Sequence, residues 1–135
     1  MPGKATMMTE LRISIKSDIG VMAKLTLPLK QNSINIECFC AYEMDDKAIF
    51  YLMTNNNPKA KAILTNAGYT VTENPVVLWT IDNTPGEVHR ATAALAEAKV
   101  NINYIYSTTV SAGKTASVVF ATSDNNKTFD TLNRL

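Results

Sequence analysis

The sequence predicts an α+β protein made of two tandem βαββαβ units, the second without its final strand. Three observations lead there: strict apolar alternation on the first strand, helical apolar stripes that follow glycine-bearing turns, and an internal repeat. Displacing the 135-residue chain by 66 positions lays Gly20 on Gly86, Thr26 on Thr92, Leu29 on Leu95, Asn35 on Asn101 and Ile36 on Ile102. After a slip in the hairpin, a displacement of 68 pairs Ala48 with Ala116, Thr54 with Thr122, Lys59 with Lys127 and Leu64 with Leu132. The matched positions fall in the same order of elements in both halves.

In the first copy, Leu11-Arg12-Ile13-Ser14-Ile15-Lys16 alternates as a half-buried strand does. Ser17-Asp18-Ile19-Gly20 is a turn into a helix whose apolar stripe is Met22, Leu25 and Leu29. Pro28 lacks a backbone donor and should bend the last turn of that helix. Strands are expected over residues 34–43 and 47–54, with Asp45-Asp46 as their hairpin turn. Pro58 suits the first turn of a second helix, Gly68 ends it, and residues 69–72 form a short fourth strand.

The second copy repeats this order: a strand over 77–81, the turn Asp82-Asn83-Thr84-Pro85-Gly86, and a helix with Val88, Ala91 and Leu95 as its stripe. Strands over 101–110 and 115–122 flank Ser111-Ala112-Gly113, and a helix runs from Asn125 to Leu135. Two interleaved right-handed crossovers give a ferredoxin-like unit with strand order 4-1-3-2, an antiparallel sheet with its helices on one face. The expected organisation is a disordered leader over 1–9, in which Met8 would serve as an alternative start, then domains over 10–74 and 75–135. Without a fourth strand, the 77–81 strand is left with an open edge that must be covered. Pairing of residues 69–72 with both first strands would cover it, and so would a second subunit.

Composition narrows the function. With 46% hydrophobic residues, 19% charged and a formal net charge of +1, the chain is an ordinary globular protein. It has no basic stripe for nucleic acid and no apolar run long enough to span a bilayer. Third strands reading K-A-I-F-Y-L-M-T and T-A-S-V-V-F-A-T do not match the aromatic frame of RNA-binding modules of this topology. Cys38 and Cys40 read as reduced residues on one packed strand face, which points to the cytoplasm. One histidine, His89, set off the apolar stripe, with no phosphate-cradling loop, no nucleophile elbow and no metal-ligand spacing, argues against an enzyme, a metal site or a cofactor.

The informative stretch is Asp82-Asn83-Thr84-Pro85-Gly86-Glu87. It joins a strand to a helix, and the free amides of Gly86, Glu87 and Val88, with the helix dipole behind them, would receive a carboxylate. Asp82 or Asn83 would meet an ammonium beside it. An α-amino acid presents this pair of charges. The same turn, with Thr84 as a cap, is also an ordinary helix start, and Asn35 and Asn101 also serve as turn caps at strand starts.

The run D-N-T-P-G-E-V-H-R-A-T-A-A-L-A-E-A-K-V-N-I-N-Y-I-Y resembles the opening half of an ACT domain. The resemblance spans about residues 11–135 and agrees with the duplication, since tandem ACT pairs are common. It implies a non-catalytic, allosteric amino-acid-binding module with its ligand at an interface between domains. Carried over residue by residue, the site would use Asp82, Asn83, Gly86, Glu87, Val88, Asn101 and Ile102, with Thr84 and Pro85 in the same turn. The other copy would supply Asp18, Ile19, Gly20, Val21, Asn35 and Ile36. Its turn lacks the proline and Pro28 disturbs the helix behind it, so an equal site is not expected there. The expected partners are an amino acid, a second copy in a homodimer, and a regulated enzyme or transporter acted on in trans. The alternative is a protein-interaction scaffold of the same fold that binds no ligand.

Overall fold

The computed structural model describes residues 4–108 and 113–135. The expected strand end at Thr109 and Val110, the Ser111-Ala112 part of its hairpin and the first three leader residues lie outside the described residues. The elements are β1 (Lys4–Lys16), α1 (Val21–Gln31), β2 (Ile36–Met44), β3 (Lys47–Thr54), α2 (Asn57–Asn66), β4 (Val71–Asp82), α3 (Glu87–Glu97), β5 (Ile102–Thr108), β6 (Thr115–Thr122) and α4 (Asn125–Asn133). Contacts divide the chain into a first unit, Thr9–Asn74, and a second, in which residues 4–8 join Pro75–Leu135. No helix among the described residues is long and apolar enough to cross a membrane.

In the first unit the strand order is β2-β3-β1-β4. Leu11 faces Leu52, Ile13 faces Phe50 and Ile15 faces Ala48 across the antiparallel β1–β3 ladder. The period of two turns this set to one side, where Leu25 and Leu29 of α1 and Ala60 and Leu64 of α2 close over it. Each large aliphatic side chain taken fully from water contributes about 1.5–3 kcal/mol. Asp45 and Asp46 have φ of 52° and 61°. Positive φ at both central residues makes the two-residue turn whose twist matches the strands it joins. Helix α1 passes through Pro28 to Gln31. The Asn32 amide (3.2 Å) and its side-chain nitrogen (2.8 Å) both donate to the Pro28 carbonyl and fasten the turn that proline weakens.

In the second unit the order is β1-β4-β6-β5. Val77, Trp79 and Ile81 of β4 pack with Val118 and Phe120 of β6 beneath Ala91, Leu95 and Leu132. The Trp79 and Phe120 rings meet edge-on, 6.2 Å apart at 60°. Val88, expected on the buried stripe of α3, is 48% exposed, so only Ala91 and Leu95 anchor that helix.

The N-terminus corrects the expectation of a disordered leader. From Lys4 onward it is strand, and it supplies the second unit with the fourth strand that copy does not encode. Ala5 is buried in the core of that unit. Asn133 at the end of α4 accepts from the Ala5 amide (2.8 Å) and donates to its carbonyl (3.4 Å). The pairing is sequence-distant and the segment Met7-Met8-Thr9 is exposed, so neither periodicity nor burial marked it as a strand. The strands expected separately over 69–72 and 77–81 are one: β4 runs unbroken from Val71 to Asp82 through Pro75, because the fixed φ of proline is compatible with extended backbone.

The repeat is legible in hydrogen bonds. Thr26 Oγ1 donates to the Met22 carbonyl and Thr92 Oγ1 to that of Val88, both at 2.9 Å. Asn57 Oδ1 accepts from Thr54 Oγ1 at 2.8 Å, and Asn125 Oδ1 accepts from Thr122 Oγ1 at 3.1 Å.

Candidate functional site

Both helix-opening turns are built by a glycine in the left-handed region, Gly20 at φ 82° before α1 and Gly86 at φ 92° before α3. A side chain would be strained at either, and neither helix has a side-chain cap. The cap of α3 is therefore Gly86, not Thr84, and Pro85 lies before the helix instead of in its first turn. Without a side-chain cap the first amides of each helix lack an acceptor within the helix, and in α1 the Val21 amide is already taken by the Asp18 carbonyl. In α3 the first amides are Glu87, Val88 and His89, one residue later than the sequence suggested.

The turns differ in what surrounds those amides. Lys16, Asp18, Ile19, Gly20, Val21 and Lys24 line a surface recess of about 200 Å³ at the start of α1. Asp18 shapes it: its carbonyl accepts from the Val21 amide (3.2 Å) and its Oδ1 from the Ile19 amide (2.8 Å). The Ile19 side chain is fully exposed at the rim. Ser17 donates to Glu43 and ties the turn to the end of β2. Four carried-over residues, Asp18 to Val21, thus share one recess.

Asn35 and Ile36 do not join them. They lie near the other end of α1, with Ala23, Thr26, Leu27 and Lys30 around a second recess of about 330 Å³. The Asn35 amide and carbonyl bond the Asn55 side chain and amide, at 3.0 and 3.1 Å. Asn101 makes the matching bonds to Ser123, at 3.0 and 2.9 Å. The main chain at both asparagines thus fixes loops, and Ile102 is half-buried against the core.

Before α3, the residues Asp82, Asn83, Thr84, Pro85 and Gly86 are all exposed. The Asn83 amide donates to the Lys114 carbonyl and that of Thr84 to the Asp82 carbonyl. Glu87 is turned onto Arg90, with Nη2 to Oε2 at 2.8 Å and Nε to Oε1 at 3.3 Å. The hydrogen bonds from Arg90 hold the Glu87 carboxyl below its ordinary range. The first turn of α3 carries its own anion; α1 has no acidic residue there. Sequence reasoning missed Lys16 and Lys24, and aligning the copies for charge instead of for identity would have found them.

Cys38 and Cys40, opposite Met53 and Tyr51 on one face of β2, are not joined in a disulfide. Burial, then the Glu10 carboxylate, pushes the Cys40 thiol up and keeps it protonated. Among the described residues no three His, Cys, Asp or Glu side chains gather as metal ligands.

Two βαββαβ units, each with a glycine-capped opening of its first helix, define a tandem ferredoxin-like fold. A family described as an ACT domain pair matches residues 6–134, and the chain belongs to that family. Among solved structures it is similar to the protein BT0572 from Bacteroides thetaiotaomicron, 25% identical with a TM-score of 0.88 over 96% of this chain and 89% of that one. The regulatory subunits of aspartate kinase from Thermus thermophilus and Thermus flavus share the fold. Their identities are 14% and 15%, their TM-scores 0.65 and 0.64, and 96% and 97% of this chain covers 95% of each. No curated protein sequence matches it.

Proposed function

We propose that the chain is a non-catalytic regulatory module that binds an amino acid at the opening of α1. The observation that carries this reading is the recess formed by Asp18, Ile19, Gly20 and Val21 between two lysines. The Met22 and Ala23 amides and the lysines receive the α-carboxylate, and the remaining oxygen of the Asp18 carboxylate meets the ammonium. The aspartate kinase regulatory subunits of the same fold support a regulatory role, exerted here on an enzyme or transporter in trans.

A second copy is the expected partner. Among the described residues β2 ends the sheet and carries Phe39 and Met44 more than half exposed, and Leu27 of α1 is exposed as well. A second copy docked there would wall in the open recesses and make a homodimer with its ligand between domains. The same surface favours the scaffold reading if no ligand binds.

The test is a thermal-shift screen of the full chain against the twenty amino acids at millimolar concentration. A ligand present at 100 times its Kd stabilises by about 2.7 kcal/mol. Gly20→Asp, which puts a carboxylate where the ligand's would lie, should abolish the shift. Gly86→Asp should leave it. No shift with any amino acid would remove this reading in favour of the scaffold.

A further inference from the structure

Laying the two turns on each other shows a reversal of charge. Lys16 corresponds to Asp82, Asp18 to Thr84, Val21 to Glu87 and Lys24 to Arg90. The first set sums to one net positive charge and the second to one net negative charge. The charges are also used differently. Arg90 is spent on Glu87, whereas Lys16 and Lys24 have no ion-pair partner among the described residues. Asp18 is the one anion in the recess, and its Oδ1 is turned back onto the Ile19 amide. A lysine near the opening of a helix is disfavoured by the helix dipole, so Lys24 stands against local propensity with nothing in the first turn to offset it.

We propose that the recess at the start of α1 selects an amino acid whose side chain carries a second carboxylate, with Lys16 and Lys24 as its charge partners. This rests on the reading of the recess as an amino-acid site and adds the ligand class. A neutral amino acid uses one anion against two cations and leaves the recess positive. A dicarboxylic one, with net charge −1, balances it. The turn before α3 has the opposite balance and repels the same ligand.

The experiment is isothermal titration of the full chain with L-aspartate, L-glutamate and their isosteric amides L-asparagine and L-glutamine, at low and at physiological salt. Each pair differs by one charge and almost nothing in shape. Exposed ion pairs are individually modest and weakened by salt, so the two together should give about a tenfold preference for the acid over its amide, smaller at higher salt. Lys16→Gln and Lys24→Gln should each reduce that preference, and the double variant should erase it, while the melting temperature without ligand does not fall. Binding of a neutral amino acid equal to or tighter than that of both acids overturns this proposal and leaves the site reading standing. A preference that survives in the double variant also overturns it. Absence of binding by every amino acid in the thermal-shift screen removes both.

Discussion

The turns before α1 and α3 share a backbone and differ in charge. Each has a left-handed glycine, a helix opening without a side-chain cap, and a threonine one turn on that bonds back to the helix. Between these shared features, α3 answers its own positive end with Glu87 and Arg90, while α1 leaves a recess flanked by two lysines that have no ion-pair partner among the described residues. The glycine fixes the geometry of such a turn. The residues at the first and fourth helical positions decide whether an anion is already present.

A matching contrast holds between the units. The first builds its four-stranded sheet from contiguous chain, and the second borrows residues 4–8. The largest effect should therefore follow from deleting residues 1–8. This removes Ala5 and its backbone bonds from the second unit, and several lost bonds at about 1 kcal/mol each predict about 3–5 kcal/mol of destabilisation. Trp79 is the only tryptophan and lies in that unit's core, so denaturation followed by its fluorescence reads the second unit alone. An unchanged midpoint would show that the N-terminal strand is dispensable. Asn133→Ala tests the same attachment more gently. Losing both bonds to Ala5 should cost about 1–2 kcal/mol in the Trp79-monitored transition.

Exchanging the two turns sharpens the comparison of charge. The double substitution Val21→Glu and Lys24→Arg gives α1 the pair that α3 has, and should reduce amino-acid affinity about tenfold or more in titration calorimetry. A smaller effect is expected from acid. The Glu87 carboxyl is held low by Arg90, so its ion pair is intact at neutral pH and is lost only as pH falls through that lowered value. An NMR titration of the Glu87 carboxyl should show a midpoint below that of an ordinary glutamate. In Arg90→Gln the midpoint should return upward; a midpoint that does not move would show that the pair is not formed in solution.

Much of the fold was legible because local signals agreed with the global one. The alternation from Leu11 to Lys16, the hairpin at Asp45-Asp46 and the helix end at Gly68 needed no knowledge of distant contacts. The strand at residues 4–8 did need it, since only its pairing in the second unit and the reach of Asn133 hold it extended. The positions of the candidate residues were legible for the same reason as the turns. Which copy forms a recess was not, because it depends on whether long charged side chains close onto each other, as Glu87 and Arg90 do, or stand apart. Pro85-Gly86 drew attention to α3, and the lysines around Gly20 carried no motif.

The most direct measurement is a backbone-amide NMR titration of the full chain with the amino acid that gives the largest thermal shift. The account predicts that the amides of Gly20, Val21, Met22 and Ala23 move in proportion to occupancy, while those of Gly86, Glu87, Val88 and His89 stay in place. Movement of the second group alone, or of both groups with equal midpoints, would contradict it.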